Sequence, residues 1–516
     1  MNRTWADVHE THIGAVFLVG DLAYKLKKPV DLGFLDFSTR ETRERVCHRE
    51  VELNRRLAPD VYLGVADVTG PDGAVCDHLV VMRRMPEDRR LSTLVRRGEP
   101  LHTTIRRLAR QLAVFHAGAE RGPGIDADET RDAVRTRWRA SFDQVRPFHG
   151  EVLDPATALE IEALAEDFLA GREPLFDRRI AEGHVVDGHG DLLADDVFCL
   201  DDGPRVLDCL EFDDHLRHVD VLDDVAFLAM DLERLGAPEL GEQLLADYRE
   251  FAGDAAPPAL VHHYLAYRAF VRVKVACLRH AQGDAGAAAL AREYADLTLR
   301  HLRLGQVRLV LVGGGPGTGK STIAGGLADA LGTTLLQSDR LRKELAGLVP
   351  ARRPAEGYQK GLYDSRHTDA TYRELARRAG ELLALGETVV LDASWNAVRH
   401  RGLAVEAAER TCTPLAAVCC QAPEETVAHR ITGRAGTLSD ATPEIAHRMT
   451  EDADPWPEAH PLPTTGTPAE SLARALACLA PGHPKSLAQR HSGPPGGRTA
   501  GARLEPTTGP DAEAGR

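Results

Sequence analysis

The stretch VRLVLVGGGPGTGKSTIAGGLADALG, residues 307–332, constrains the fold more than any other part of the chain. An apolar run ends in consecutive glycines, and a run with helical spacing follows directly. From Gly314 to Ser321 the residues fit G-x-x-x-x-G-K-[ST]. Glycines there let successive backbone N–H groups turn inward onto phosphate oxygens, and the following helix N-terminus adds positive potential. The pattern assigns Gly314, Gly315, Pro316, Gly317, Thr318, Gly319, Lys320, Ser321 and Thr322 to the phosphates of ATP. Lys320 would reach the outer phosphates and Ser321 would ligate Mg2+.

Beyond Gln306, strands (TLLQSD, ETVVLDASW, PLAAVCCQAP) alternate with helical stretches, as in a parallel sheet covered by helices. Asp392 ends the strand TVVLD, where a carboxylate faces the magnesium shell. Asp339 closes the strand after the loop's helix and could orient or deprotonate an acceptor hydroxyl. Arg340, Arg342 and Lys343 beside it could bind an anionic substrate. Over roughly Gln306 to Leu479 the chain resembles small P-loop kinases of the gluconate kinase and zeta-toxin type. The resemblance implies that Asp339 acts on the acceptor. It also implies that lid arginines close over the phosphates, here Arg430 and Arg434 in AHRITGRAGTLSDATPEIAHRM.

With 516 residues the chain exceeds what one core serves, so two or more domains are expected. Its first part reads as a mixed sheet with one helix laid on it: two strands around a Gly-Asp turn in AVFLVGDLAYKLKKPV, a helix up to Pro59, then strands around Pro-Asp-Gly. In TTIRRLARQLAVFHAG the helical spacing of Ile105, Leu108, Leu112 and Phe115 places Phe115 and His116 in a core. Only eight of 63 basic residues are lysine, and three of them lie in AYKLKKPV.

The segment VVDGHGDLLADDVFCLDDGPRVLDCLEF raises a different chemistry. VFCL and PRVL read as a hairpin turning at DDG, which sets Asp196 beside Asp208 at its open end. With Asp191 in the preceding loop, three carboxylates converge, a cluster that Mg2+ and phosphates would relieve. This pattern, over about residues 10 to 300, resembles the aminoglycoside phosphotransferase and choline kinase group, which shares the protein-kinase-like fold and carries the motif HGDxHxxN. The resemblance implies that Asp191 orients or deprotonates the acceptor and that Asp196 and Asp208 hold Mg2+. It also implies an early-strand lysine paired with a helix carboxylate. Lys25 and Lys27 share one strand face, so alternation does not choose between them; Lys25 is favoured, with Glu50 as partner and Glu52 as the weaker alternative. Two departures stand out: Leu193 occupies the place of the motif's second His, and Asp196 replaces its Asn. The segment VVMRRMPED would join the lobes and receive the adenine, while Glu211 and Asp213 could support the metal shell.

A net charge of -15 argues against a broad nucleic-acid footprint and favours small-molecule partners. No apolar run approaches a membrane span, and no leader pattern opens the chain. Nine cysteines without a CxxC pair indicate reduced thiols, so a cytoplasmic location is expected. After about His483 large apolar residues are too few to repay ordering, so that stretch reads as a disordered tail. The expected fold class is therefore α+β followed by α/β: a two-lobed kinase-like domain at 1–303, a P-loop domain at 304–480 and a tail at 481–516. The function expected is Mg-ATP-dependent phosphoryl transfer to a hydroxyl of a small polar molecule such as a sugar or amino sugar. Two other readings are a P-loop ATPase governed by a degenerate, ligand-sensing N-terminal domain, suggested by Leu193 and Asp196, and a polynucleotide end kinase, opposed by the acidic balance. The acceptor's identity and the oligomeric state stay open.

Overall fold

Period-two alternation in the first eighty residues builds an antiparallel sheet. A computed structural model describes residues 6–10, 14–30, 36–348, 361–433 and 442–479. Strands β1 (Ala6–Glu10), β2 (Gly14–Val19), β3 (Leu22–Lys27), β4 (Tyr62–Thr69) and β5 (Val75–Arg83) lie in the order β1-β2-β3-β5-β4. Val19 pairs with Leu22 across the Gly20-Asp21 turn, and Gly20 takes the left-handed φ of 58° that such a turn requires. The helix Arg40–Asn54 starts at Thr39, whose side chain accepts the Thr42 N–H. Its Cys47 and Val51 pack with Ala23, Val80 and Met82 of the sheet.

The chain then becomes mainly helical. In the helix His102–Gly118, Ile105, Leu108, Leu112 and His116 are buried on the expected face, and Phe115 is partly buried against the same core. Two small antiparallel pairs interrupt the helices: β6 (Val185–Asp187) with β9 (His218–Asp220), and β7 (Val197–Leu200) with β8 (Gly203–Val206). The hairpin departs from the expected register by one residue. Val197 faces Val206, so the residue opposite Asp196 is Leu207, whose N–H donates to Asp196 O at 2.9 Å. Asp208 lies one position further on and turns back with φ 62°, a conformation that aspartate tolerates better than most residues.

The second sheet is wholly parallel. Strands β10 (Leu309–Gly313), β11 (Thr334–Gln337), β12 (Val389–Asp392), β13 (Leu415–Gln421) and β14 (His460–Pro463) run in the order β11-β12-β10-β13-β14. Helices cover both faces, which is why β10 and β12 are apolar and buried along their lengths up to Asp392. The fold class is the expected one in outline, an α+β arrangement followed by a parallel α/β sheet that carries the glycine loop. The tail expected at 481–516 lies outside the described residues. Among the described residues no helix is long and apolar enough to cross a membrane.

One hydrophobic cluster runs from Leu175 and Leu260 through Tyr372 and Leu383 to Leu309 and Leu415, joining the two sheet regions. At the seam the buried Arg172 donates to Thr411 O at 2.5 Å and to Thr413 Oγ1 at 3.2 Å. Gly171 presses on the same backbone: a Cβ there would stand 1.9 Å from Thr411 O. Gly171→Ala should therefore destabilise the chain by about 3 kcal/mol, the upper range for an overpacked site. A urea melt of the two proteins checks this, and equal midpoints would refute it.

Candidate functional site

The fully buried β10 delivers the chain into the Gly314–Gly319 turn, and the helix Lys320–Leu331 leaves it. Gly314, Gly317 and Gly319 have φ of 129°, 82° and 89°, which side-chain-bearing residues rarely adopt. A Cβ on Gly314 would lie 2.6 Å from Cys420 O, and one on Gly317 would lie 2.8 Å from Val427 Cγ1. The loop is braced from the residue that follows β14: Thr464 Oγ1 donates to Thr318 O at 2.6 Å, and Arg430 Nη2 donates to Thr464 O at 2.6 Å. Arg430 Nη1 also reaches Gly317 O at 3.4 Å, so this arginine sits on the phosphate loop. Arg434 lies outside the described residues.

Asp392 ends β12 beneath the loop, where Oδ2 accepts Gln337 Nε2 at 3.2 Å while the buried Oδ1 has no hydrogen-bond partner. Burial pushes its carboxyl above the ordinary range, and the neighbouring Lys320 and Ser321 pull it back. An orphaned carboxylate oxygen beside a serine and a lysine fits a magnesium-nucleotide group, in which Ser321 and Asp392 would hold the metal and its waters. Asp339 stands in the first turn of the helix Ser338–Leu345, close enough to Asp392 for the two charges to interact. Its neighbours Arg342 and Lys343 are buried, and Arg342 donates to Thr368 Oγ1 at 3.0 Å. A cavity of about 820 Å³ opens on the loop, lined in part by Gly315, Thr318, Asn396, Arg401 and Trp456. Trp395, buried with φ 55° and an unpartnered Nε1, forms another wall.

In the first sheet both candidate lysines converge on Glu50, which is fully buried in the helix Arg40–Asn54. Lys25 Nζ lies 2.9 Å from Glu50 Oε1 and 2.5 Å from Asp208 Oδ1. Lys27 Nζ lies 2.6 Å from Glu50 Oε2 and also pairs with Glu211. The choice between the lysines thus resolves into a division of labour: Lys27 is sealed in, and Lys25 faces the carboxylate cluster. Glu52 points away and pairs with Arg49. Burial alone would lower the Lys25 ammonium, but Asp208, Glu50 and Glu211 hold it well above the usual lysine value.

Asp191, Asp196 and Asp208 come together as expected despite the register change. Burial lifts Asp191 to about 6, with Asp208 adding to the rise and Arg272 and Arg268 opposing it. Asp196 is pushed well above the carboxylate range by burial and then by Asp208, Asp191 and Asp195. Lys25 holds the half-exposed Asp208 down at about 2. Three mutually repelling carboxylates with one lysine among them make a donor set suited to a hard divalent cation.

Sequence reasoning missed what aims this loop. Fully buried Asp224 accepts His189 N at 2.7 Å and Gly190 N at 3.0 Å, and His116 Nε2 lies 3.0 Å from it. Its neighbour Asp223 forms a bidentate pair with Arg268, which also donates to Gly190 O at 3.1 Å. The available signal was Asp223-Asp224 inside the otherwise apolar VLDDVAFLAM, since adjacent acids on a buried helix need partners.

The family model described as AAA domain matches residues 309–455, from β10 past the helix Pro443–Glu451. The uncharacterized protein Rv2004c of Mycobacterium tuberculosis (strain ATCC 25618 / H37Rv) is 43% identical over 474 residues, spanning 92% of this chain and 95% of its own length. The chain belongs to the family of that mycobacterial protein. Similar solved structures include a gluconokinase from Sinorhizobium meliloti 1021, 21% identical over 34% of this chain and 91% of its own, with a TM-score of 0.25. Another is a choline/ethanolamine kinase family protein from Mesorhizobium loti, 14% identical over 58% of this chain and 92% of its own, with a TM-score of 0.35. Family membership spans both sites, since the alignment with the mycobacterial relative covers nearly all of both chains.

Proposed function

We propose that the chain is a Mg-ATP-dependent phosphotransferase with two phosphoryl-transfer sites, each passing the terminal phosphoryl group of ATP to a hydroxyl of a small polar molecule. The carrying observation is the glycine cradle at Gly314–Gly319 with Lys320, Ser321 and the unpartnered Asp392 Oδ1 gathered beneath it. Main-chain amides and Lys320 hold the phosphates, Arg430 caps them, and Asp339 orients the acceptor hydroxyl and takes its proton. In the first site Lys25, steadied by Glu50, positions phosphates, while Asp191 serves as the base and Asp196 and Asp208 hold the metal. Mg2+ neutralises charge on the phosphates at both sites.

Transfer to sugars, amino sugars and nucleosides by the intact chain tests this reading. Lys320→Ala and Asp191→Ala should each remove one activity by about 100- to 1,000-fold, and the double variant should remove both. If neither single change alters transfer, both assignments fail. In the Lys320→Ala background the remaining kcat/KM should rise with pH through about 6 and then level, because Asp191 acts as a base only when deprotonated. A profile flat across that range would exclude Asp191 from the role.

A second reading rests on Leu193 and Asp196: the first site binds ATP without turnover and governs hydrolysis at the second. It requires that Asp191→Ala leave all product formation intact while Lys320→Ala abolishes it.

A further inference from the structure

Apart from the residues assigned to phosphoryl transfer, three potential metal ligands meet on the polypeptide that backs the Asp191 loop. Asp128 sits in the short turn Ala127–Glu129, His215 in the turn Asp214–Leu216, and His218 opens β9. Asp128 Oδ2 lies 2.8 Å from His215 Nδ1 and 2.6 Å from His218 Nδ1, and all three atoms fall within 4.8 Å of one another. We propose that Asp128, His215 and His218 form a binding site for a zinc-class transition-metal ion, with its remaining positions open to water.

The chemistry of the donors sets the class. Two imidazoles and one carboxylate suit Zn2+, Fe2+, Co2+ or Ni2+, whereas Mg2+ prefers oxygen and keeps its waters. Bonds of about 2.0–2.1 Å in a tetrahedral arrangement separate ligand atoms by roughly 3.3 Å. The trio therefore has to open by about half an ångström. His215, whose side chain is 75% exposed, can move away from Asp128 freely, whereas the 2.6 Å contact between the largely enclosed His218 and Asp128 has to open by small rotations of those two side chains.

The surrounding framework is rigid where the ion would need it. Between the histidines, Arg217 is fully buried and donates from Nε to Asp187 Oδ1 at 2.8 Å, from Nη1 to Leu210 O at 2.9 Å and from Nη2 to Asp214 Oδ1 at 2.5 Å. Pairing of β9 with β6 holds His218 opposite Asp187. On the other side Arg137 Nη1 donates to Asp128 O at 2.5 Å and pairs with the buried Glu129. The histidine segment also touches the loop bearing Asp191: Gly188 N–H donates to Arg217 O at 2.8 Å, and a Cβ on Gly190 would come within 3.0 Å of Leu216 O. An ion here would tie the Ala127–Glu129 turn to the backing of that loop, at a place distinct from the acidic cluster itself.

The test needs no nucleotide, so it stands or falls apart from the reading of the phosphoryl-transfer sites. The intact chain, stripped with a chelator, is titrated with Zn2+ by calorimetry, and Co2+ uptake is followed by absorption. One equivalent of Zn2+ should bind in the presence of excess Mg2+, and Co2+ should give d–d bands without thiolate charge-transfer bands. His218→Ala and Asp128→Asn should each weaken binding beyond the roughly 10- to 100-fold typical of losing an outer-shell partner. His215→Ala, at an exposed position that does not endanger folding, should do the same. No uptake by the unaltered chain, thiolate bands from cysteine, or unchanged affinity in His215→Ala would each overturn the proposal and leave the trio as a hydrogen-bonded cluster only.

Discussion

Asp224→Ala should lower stability by about 3–5 kcal/mol and silence the site around Asp191 while sparing the phosphate loop around Lys320. Asp224 is completely buried, and two main-chain N–H groups and one imidazole converge on it. Removing the carboxylate leaves those donors dry and unpaired, which costs more than the lost bonds alone. It also frees the His189-Gly190 backbone that aims Asp191. The pH dependence follows from the sign of the shift. Burial opposes ionisation of Asp224, yet hydrogen bonding from His116 and the His189 amide, with the charges of both imidazoles, holds its carboxyl well below the usual value. Its contribution is thus fully present above the unfolded aspartate value near about 4 and is lost as pH falls from there toward the depressed folded value. Urea melts of both proteins between pH 3 and 7 should draw closer together toward the acid end without meeting, and parallel curves would contradict this account. Asp224→Asn, which keeps one acceptor oxygen, should fall between.

Glu50→Ala is expected to be comparably severe, again about 3–5 kcal/mol, because it strips a shared counter-ion from two ammonium groups in a dry sheet face. Lys27 would retain Glu211 and Lys25 would retain Asp208, so the fold should survive with a lower midpoint. Nucleotide affinity at the first site should fall with it, since Lys25 would collapse onto Asp208 and lose its set position. Calorimetric titration of ATP in the Lys320→Ala background separates that loss from binding at the phosphate loop. Glu50→Gln, isosteric but uncharged, should cost less stability than alanine yet weaken ATP to a similar extent. Unaltered ATP affinity in both variants would remove Lys25 and Glu50 from the phosphate site.

What could be read from the chain beforehand follows the range of the interactions. The glycine loop is local: eight consecutive residues specify turn, helix start and ligand together, and the structure adds Thr464 and Arg430 as braces from far along the chain. The strand lysines and Glu50 were visible as residue types at the right elements, but alternation leaves Lys25 and Lys27 on one face, and only packing reveals that Glu50 serves both. The hairpin was legible and its register was not, because Leu207 could end a strand as readily as follow one; Asp208 regains its neighbours through a left-handed backbone. The adjacent acids Asp223 and Asp224 in an apolar helix signalled a need for partners, but their partners and the Asp128 trio were out of reach, since they meet across long stretches of chain that no periodicity connects.

The tight joint around Arg172 bears on how this molecule can be dissected. Severing the chain near Leu304 would expose Leu175 and Leu260 on one fragment and Tyr372, Leu383 and Leu415 on the other, each an apolar face evolved to be covered. Gly386, whose absent side chain makes room for Pro257 and Leu175, would lose both neighbours and keep only its left-handed φ of 82° as a reason to be glycine. Fragments prepared to study one centre in isolation would carry sticky wounds rather than native surfaces, so single-residue knockouts in the whole chain are the cleaner scalpel.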